Sequence, residues 1–478
     1  MFHTTKAQIS HILSIIAIGI LVFFILSSML SINVEHSLSY KAITYVVIFF
    51  MVITALVIEV LPPSLIGLIG VVTIASINIV GTPKEAVSWA LSGFSNSVIW
   101  LIFTAFMLAK GYAKSGLGRR VALLLIKYLG KRTLTLGYAV AAIEFILAPF
   151  IPSNTARSAG TICPIIKNIP ILYDCTPTRD RRKIGSYLMW VGIASTCVTS
   201  TLFLTGLAPN LLAVSIVEKS IGLKINWMSW FKLTAIPFTA LLMLVPLLTY
   251  IIYPPTVKKS NHIIDWVNDE ISKLKSIKRS EVLMMIFSIL ALCLWLFAGK
   301  YLHSTMVAML VLVLMVLCKV ITFDDIINHS SAWSIFIWFA TLVALAGGLK
   351  TVGFLSWVGD ISNYYLHGLK PIYIFISIIL IFYIIHYCFA SVTAHTTALL
   401  PIMITIANNT LPSNMITPLV YSLVFSLGIM GILTPYASGP SPIWYGAGYI
   451  SSREYWKLGL IFGSLFLVVL LILSITML

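Results

Sequence analysis

The chain has 478 residues, of which 59% are hydrophobic and 10% are charged, and its mean hydropathy is +1.01. This composition excludes a soluble globular domain and indicates one integral membrane domain over residues 1–478. The net charge of +16 does not indicate nucleic-acid binding, because the basic residues cluster in short segments at 110–132, 179–183 and 258–279, as they do in cytoplasmic loops of membrane proteins.

Eleven apolar segments are each long enough, at roughly 20 residues, to cross a bilayer as a helix. The first is long for the core of a signal peptide and has no convincing cleavage site, so we expect it to be retained. The predicted spans cover residues 9–31, 42–60, 64–82, 97–113, 184–207, 230–253, 282–299, 303–320, 333–349, 415–433 and 457–477. We therefore expect an all-α polytopic membrane protein.

Two further apolar stretches, 133–172 and 371–408, are each interrupted midway by a polar motif. The motifs are close copies: SNTARSAGTICPI begins at Ser153 and SVTAHTTALLPI begins at Ser391. Unpaired polar groups in hydrocarbon cost several kcal/mol, so we expect both motifs to line a site enclosed by protein. Each half of a stretch is about one helix long, which predicts two re-entrant hairpins with the motifs at their tips.

The two hairpins are expected to belong to inverted repeats. Basic residues flank the first stretch at both ends, which predicts that this hairpin enters from the cytoplasm. Trp100 and Trp338 each lie 53 residues before the motif serine, which indicates a repeat. With the N-terminus in the cytoplasm, eleven spans place the C-terminus outside and invert the second copy. Inverted repeats of this kind hold substrate near the bilayer midplane.

We expect the two repeat cores to cover residues 87–253 and 325–478. The segment between them, 254–281, has apolar residues at helical spacing among charged ones. This pattern predicts an amphipathic linker helix that lies on the cytoplasmic surface of the membrane.

Each repeat also contains a span that is predicted to unwind. The sequence TGLAPN, from Thr205 to Asn210, follows the first hairpin, and TPYASGP, from Thr434 to Pro440, occupies the corresponding place after the second. Proline removes an amide donor and glycine weakens a helix, so both spans should break there. Two broken helices that face two hairpin tips predict one polar cavity, and this architecture favours solute transport.

The ionisable residues near the motifs are compatible with more than one role. Arg157 could supply positive charge to an anionic substrate or could bind carbonyl groups at a helix end. His395, at the corresponding place in the second motif, could do the same or could be a neutral cap at the tip. Glu144 lies inside the first hairpin, where it could pair with Arg157 or carry a proton. His386 is expected to be a packing residue.

These motifs, with the flanking sequences GLGRRVALLLIKYLGKRTLTLGYA, GIMGILTPYASGP and YWKLGLIFG, resemble the divalent anion:sodium symporter family. The resemblance runs from about residue 89 to residue 463. Within this family, the chain more closely resembles the branch of citrate:succinate antiporters and 2-oxoglutarate:malate translocators. It implies a homodimer in the bacterial inner membrane, with a scaffold domain and a transport domain that moves as an elevator. It also implies di- or tricarboxylate substrates.

By this resemblance, the hairpin tips and the facing loops would contact the substrate. The residues concerned are Ser153, Asn154 and Thr155 at the first tip, Ser391 and Thr393 at the second, and Thr205, Pro209, Asn210, Thr434, Pro435 and Ala437 in the unwound spans. In sodium-coupled relatives the same tips and loops also enclose sodium ions.

This chain departs from the symporter motif, which reads SNT twice. Val392 replaces the second asparagine and cannot coordinate sodium, while Arg157 and His395 introduce cationic groups. We therefore expect Arg157 and His395 to provide charge compensation, with sodium-independent exchange of dicarboxylates and no bound metal. A sodium-coupled dicarboxylate symporter is the alternative. The substrate is open among succinate, malate, fumarate, 2-oxoglutarate, citrate and tartrate.

Other function classes are disfavoured. An intramembrane hydrolase would use Ser153 or Ser391 with a histidine base, but catalysis needs a nucleophile, a base and an oxyanion site rather than two copies of one motif. The sequence has no HExxH pair, and its six cysteines have no metal-binding spacing, so we expect neither enzyme activity nor a cofactor. Hairpins that enclose the site from both faces disfavour a passive anion channel.

Overall fold

The computed structural model describes residues 2–28, 38–58, 61–259, 261–274, 276–299 and 301–478, with side chains from residue 13 onward except at 261. Within these ranges the chain is helical and forms no β-strand, which confirms the predicted all-α fold. The ends of the first two predicted spans, 29–31 and 59–60, and two positions of the predicted linker, 260 and 275, lie outside the described residues.

The first half of the chain contains thirteen α-helices in its described part. They are α1 Phe2–Ser28, α2 Tyr40–Ile58, α3 Pro63–Ser76, α4 Pro83–Leu91, α5 Ser97–Ser115, α6 Leu117–Leu129, α7 Thr133–Leu147, α8 Cys163–Ile166, α9 Asn168–Ile171, α10 Gly185–Leu202, α11 Ala208–Ile221, α12 Trp227–Ile252 and α13 Asn261–Lys273. A π-helix, Thr155–Ile162, precedes α8, and a 3₁₀ turn, Leu204–Gly206, separates α10 from α11.

The second half continues with ten α-helices among the described residues. They are α14 Arg279–Phe297, α15 Ser304–Leu317, α16 Phe323–Ile327, α17 Ser330–Thr351, α18 Phe354–Leu366, α19 Pro371–Ile384, α20 Val392–Thr410, α21 Ser413–Ile429, α22 Ser441–Tyr445 and α23 Ser452–Thr476. Two 3₁₀ turns, Ile385–Cys388 and Met430–Ile432, follow α19 and α21.

Eight of the described helical segments are long and apolar enough to cross a bilayer, as expected of an integral membrane protein. They are α2, α5, α12, α14, α17, α19 with its 3₁₀ turn, α21 with its 3₁₀ turn, and α23. The predicted span 64–82 is shorter in the structure, because α3 ends at Ser76. The chain then turns at Asn78 and Gly81, which have positive φ angles of 51° and 139°.

The helices that carry the two repeated tryptophans run antiparallel. Trp100 on α5 lies against Phe336 on α17, with ring centroids 4.8 Å apart, and Phe103 lies against Trp333 at 4.5 Å. A step forward along α5, from Trp100 to Phe103, corresponds to a step backward along α17, from Phe336 to Trp333. The two helices therefore run in opposite directions. A left-handed glycine follows each helix and caps the start of the next one, Gly116 between α5 and α6 and Gly353 between α17 and α18. This arrangement fits the predicted inverted repeats.

Both predicted hairpins form. The first enters through α7 and returns through the π-helix, α8 and α9. Pro149 and Pro152 follow α7 closely and prevent the helix from continuing. The second enters through α19, turns at 385–391 and returns through the longer helix α20.

The spans that follow the hairpins cross at a close contact between backbones. Thr201 on α10 donates from Oγ1 to the carbonyl of Phe425 on α21 at 2.9 Å. An ideal Cβ at Gly428 would lie 2.4 Å from Thr201 Oγ1 and 2.5 Å from the Thr201 amide nitrogen. A glycine is required at this crossing, which lies in the buried interior a few residues before each unwound span.

Candidate substrate-binding site

The two motif serines have the same local role. Ser153 Oγ accepts a hydrogen bond from the amide of Ala156 at 3.1 Å, and Ser391 Oγ accepts one from the amide of Ala394 at 3.4 Å. Each serine therefore caps the helix that leaves its hairpin tip. The remaining free amide groups of such helix starts favour an anionic ligand.

Arg157 is completely buried and lies at the centre of a polar network. Its Nε donates to Glu144 Oε2 at 2.9 Å. Its Nη1 donates to the carbonyl of Ile151, at the hairpin tip, at 2.9 Å and to the carbonyl of Gly206, in the first unwound span, at 2.8 Å. The guanidinium thus joins the hairpin to the broken helix that follows it.

The ion pair with Glu144 changes the interpretation of Arg157. Both side chains are fully buried, and Glu144 also accepts hydrogen bonds from Thr196 and Thr199 on α10. An ionised pair has no net charge, so the expectation that Arg157 adds uncompensated positive charge to the site is not supported. The observed contacts agree with the structural role considered from the sequence, in which Arg157 binds carbonyl groups at a helix end and pairs with Glu144.

His395 is also buried, but in an aromatic environment. The rings of Phe382, Phe389 and His386 surround it, with centroids 4.4, 5.1 and 5.0 Å away. Neither ring nitrogen has a hydrogen-bond partner among the described residues. A positive charge without a partner is costly in such a place, so the surroundings favour a neutral imidazole. Charge compensation by His395 is therefore not supported either.

The internal repeat relates these two observations. Residues 238 positions apart correspond, as do Ser153 and Ser391. Glu144 corresponds to Phe382, and Arg157 corresponds to His395. Both copies thus retain a contact between the same two positions of the hairpin, but it is an ion pair in the first copy and a contact between aromatic rings in the second.

The first unwound span is held largely by its own polar groups. Thr205 Oγ1 donates to the carbonyl of Pro149 at 2.7 Å and accepts from Trp227 Nε1 at 3.2 Å. Thr205 therefore fixes the hairpin tip, and its hydroxyl is already occupied. Asn210 donates from Nδ2 to the carbonyl of Ser200 at 2.7 Å, which leaves its buried Oδ1 without a partner among the described residues.

The second unwound span touches the second hairpin. His386, which we expected to be a packing residue, has its Nε2 3.0 Å from the carbonyl oxygen of Ala437. Thr434 is buried, and its Oγ1 has no partner in the part of the chain that the structure describes. Pro435 lies half-buried beside it, whereas Pro209 in the first span is buried in the opening turn of α11.

The first hairpin also reaches the second unwound span. Gly439 lies so close to the first tip that an ideal Cβ on it would be 2.0 Å from Thr155 Oγ1. Trp444, just beyond this span, donates from Nε1 to Ser158 Oγ at 2.8 Å. The span 434–440 therefore contacts both hairpins. The second unwound span converges with the two hairpins, as the sequence predicts.

Several predicted site residues have polar atoms that no other described residue uses. Asn154 is nearly buried and makes no side-chain hydrogen bond in the described structure, and the same holds for the hydroxyls of Thr155 and Thr393. With Thr434 Oγ1 and Asn210 Oδ1, these atoms form a set of neutral donors and acceptors. Neutral donors beside helix starts are suited to carboxylate groups.

One cavity leads to the first tip. It has a volume of about 450 Å³ and extends from Ile151 and Ala156, next to the motif, along the return arm of the hairpin at Thr161 and Asn168. The opposite wall consists of the end of α5, the start of α6 and two residues of α13. The cavity therefore connects the tip with the side of the protein on which α13 lies.

Comparison with known proteins gives a consistent result. The family described as "Sodium:sulfate symporter transmembrane region" matches residues 13–477. The L-tartrate/succinate antiporters of Escherichia coli K12 and Shigella dysenteriae are 43% identical to this chain over 443 residues, which is 90% of this chain and 91% of theirs. The chain belongs to the divalent anion:sodium symporter family. The crystal structure of the Alcanivorax borkumensis YdaH transporter has the same fold, with a TM-score of 0.55 over 92% of this chain and 97% of that one, at 12% identity.

Membership in the divalent anion:sodium symporter family makes this chain a membrane transporter and not an enzyme. The structure also brings to the site two residues that the sequence did not assign to it. His386 and Trp444 bind the unwound span and the first hairpin, although no local motif marks them. The only signal for His386 was a polar side chain within the apolar arm of a hairpin.

Proposed function

We propose that this transporter exchanges di- and tricarboxylates across the bacterial inner membrane without sodium. The observation that carries the proposal is the position of the Arg157 guanidinium, which binds the carbonyls of Ile151 and Gly206. In sodium-coupled relatives the hairpin tip and the unwound span enclose a cation. Here the Arg157 side chain binds such carbonyl groups, and Glu144 balances its charge.

Exchange follows from the unsatisfied polar atoms of the empty site. Asn154, Thr155 and Thr434 have side-chain groups that bond to no other described residue. Moving these groups through the membrane without a ligand costs free energy, because water cannot accompany them into an enclosed site. A bound dicarboxylate accepts from these donors, so the loaded transport domain crosses more readily than the empty one.

The transport step is proposed to be an elevator movement within a homodimer. In this scheme the hairpins, α10, α11 and α21 move together past a scaffold that includes α5 and α17. The N-terminus lies in the cytoplasm and the C-terminus lies outside, so the cavity beside α13 opens toward the cytoplasm. The proposal rests on the sequence repeats, the antiparallel α5 and α17, and the family relationship.

The favoured substrates are four-carbon dicarboxylates. The relatives that support this choice are named L-tartrate/succinate antiporters. Tartrate differs from succinate by two hydroxyl groups, which need partners of their own. Asn210 Oδ1 is a buried acceptor without a partner among the described residues, and it suits a substrate hydroxyl. Malate, 2-oxoglutarate and citrate remain members of the proposed class.

Counterflow in proteoliposomes tests the substrate assignment. Vesicles loaded with unlabelled succinate, tartrate, malate, 2-oxoglutarate or citrate are diluted into labelled succinate. We expect rapid uptake with internal succinate, tartrate or malate, which have four carbons, and slower uptake with the larger 2-oxoglutarate and citrate. Equal uptake with chloride inside would contradict exchange. A labelled-succinate uptake that requires a sodium gradient and no internal acid would support the sodium-coupled alternative.

A further inference from the structure

We propose that Arg119, at the α13 end of the cavity, is a first binding site for the dicarboxylate, and that Glu270 on α13 occupies Arg119 until a substrate carboxylate displaces it. This inference rests on the proposed function and adds a residue pair that lies outside the hairpin motifs. It also gives a role to the segment 254–281, which the sequence identified only as a linker.

The cavity places this pair on a route to the motif. Its walls include Arg119 of α6, Trp266 and Glu270 of α13, and Ile151 and Ala156 next to the first motif. The walls also include the polar residues Thr161 and Asn168 of the hairpin return arm. A dianion that enters this cavity beside α13 therefore meets Arg119 in the same space that borders the first hairpin tip.

Arg119 and Glu270 form a contact that a carboxylate ligand can replace. Arg119 Nη2 lies 2.6 Å from Glu270 Oε2, and 52% of the arginine side chain is exposed. This is the only hydrogen bond of Arg119 to a described residue, so most of the five N–H donors of the guanidinium are free. A substrate carboxylate can form the same bond, and a second one beside it.

Glu270 has a second partner to which it can remain bound. Lys273, one turn further along α13, donates to Glu270 Oε1 at 2.6 Å. The hydrogen bond from Lys273, with a further contribution from Arg119, holds the pKa of Glu270 below its ordinary value. Glu270 therefore stays ionised throughout the physiological range, and its competition with substrate should not change between pH 6 and 8.

The neighbouring arginine shows how different a structural pair looks. Arg120 is buried and donates from Nε and Nη2 to both oxygens of Glu281, at 2.7 and 3.2 Å. It joins α6 to the start of α14 through a two-pronged contact. Arg119, one position earlier, faces the cavity with a single bond. The contrast separates a pair that holds helices together from one that is available to a ligand.

Vesicles of opposite orientation provide the test. Right-side-out and inverted membrane vesicles, both loaded with succinate, give the KM for labelled succinate at each face separately. We expect Arg119→Gln to raise KM about 10-fold at the face that carries α13 and to leave KM at the other face unchanged. Glu270→Gln should lower KM about threefold at the same face, because Arg119 is no longer occupied. Arg119→Lys should recover only part of the loss, because lysine restores the positive charge but not the pair of parallel hydrogen bonds.

Lys127→Gln is the matched control, because it removes one positive charge from the exposed surface of the same helix, away from the cavity. It should leave KM unchanged at both faces. Equal effects of Arg119→Gln and Lys127→Gln, or no effect of either cavity variant, would overturn the inference. If Arg119→Gln does not fold, the opposite shift predicted for Glu270→Gln decides. Absence of exchange by the wild-type protein would contradict the proposed function instead.

Discussion

At the scale of single residues, the central feature is the buried ion pair between Glu144 and Arg157. Its two members lie thirteen positions apart and meet only because the hairpin folds back on itself. Arg157 additionally satisfies two backbone carbonyls that the breaks in the helices leave open. The pair therefore stabilises the irregular backbone that forms the site, and its charge is internal to the protein.

Removing one partner should be more damaging than removing both. Glu144→Gln leaves a buried guanidinium without its counter-ion, and we expect a loss of about 3–5 kcal/mol in stability. The double variant Glu144→Leu with Arg157→Met should recover part of that stability, since no charge is left unpaired. It should still fail to transport, because the carbonyls of Ile151 and Gly206 lose their donor. Thermal unfolding in detergent and succinate exchange measure the two effects.

Thr434 allows binding to be separated from stability. Its Oγ1 is buried and bonds to no described residue, so Thr434→Val removes no internal hydrogen bond. We expect unchanged thermal unfolding and a KM for succinate about 10-fold higher, the loss of one hydrogen bond to a charged ligand. Thr249→Val is the control, because it removes a buried threonine hydroxyl on α12, outside the hairpins and the unwound spans. An unchanged KM in Thr434→Val would exclude this hydroxyl from the site.

At the scale of helices, the breaks are local and could be predicted from sequence, whereas their partners could not. Proline or glycine residues follow the ends of α7 and α10 within a few positions. The bond from Trp444 to Ser158 joins residues 286 positions apart, and no spacing rule connects them. For the same reason, the sequence could not predict the surroundings of Arg157 and His395. Their roles depend on the contact of Arg157 with Glu144 and on the three rings around His395.

The crossing of α10 and α21 depends on Gly428. An added Cβ would meet backbone atoms of Thr201 and Ser200, at 2.5 and 2.8 Å, which cannot move aside as a flexible side chain does. Gly428→Ala should therefore lower stability by about 1–3 kcal/mol and separate α21 from α10 next to the unwound spans, with loss of transport. Gly347→Ala on α17 has no atom within 4 Å of the added Cβ and should unfold at the wild-type temperature or above. Thermal unfolding of the two variants compares them directly.

At the scale of the whole molecule, the repeated motifs predicted the architecture well. Equal offsets from Trp100 to Ser153 and from Trp338 to Ser391 indicated a duplication, and α5 and α17 are antiparallel as inversion requires. The two copies differ where the chemistry lies, since an ion pair in the first hairpin corresponds to a contact between rings in the second. We therefore infer a neutral, polar site that a substrate must fill, and not a site with a fixed net charge.

The most direct test of this account is the efflux of labelled succinate from proteoliposomes. The external medium contains either sodium chloride or potassium chloride, in each case with or without unlabelled succinate. We expect rapid efflux only with external succinate, at the same rate in sodium and in potassium. Efflux into medium without a dicarboxylate, or exchange that stops when sodium is replaced by potassium, would contradict sodium-independent exchange.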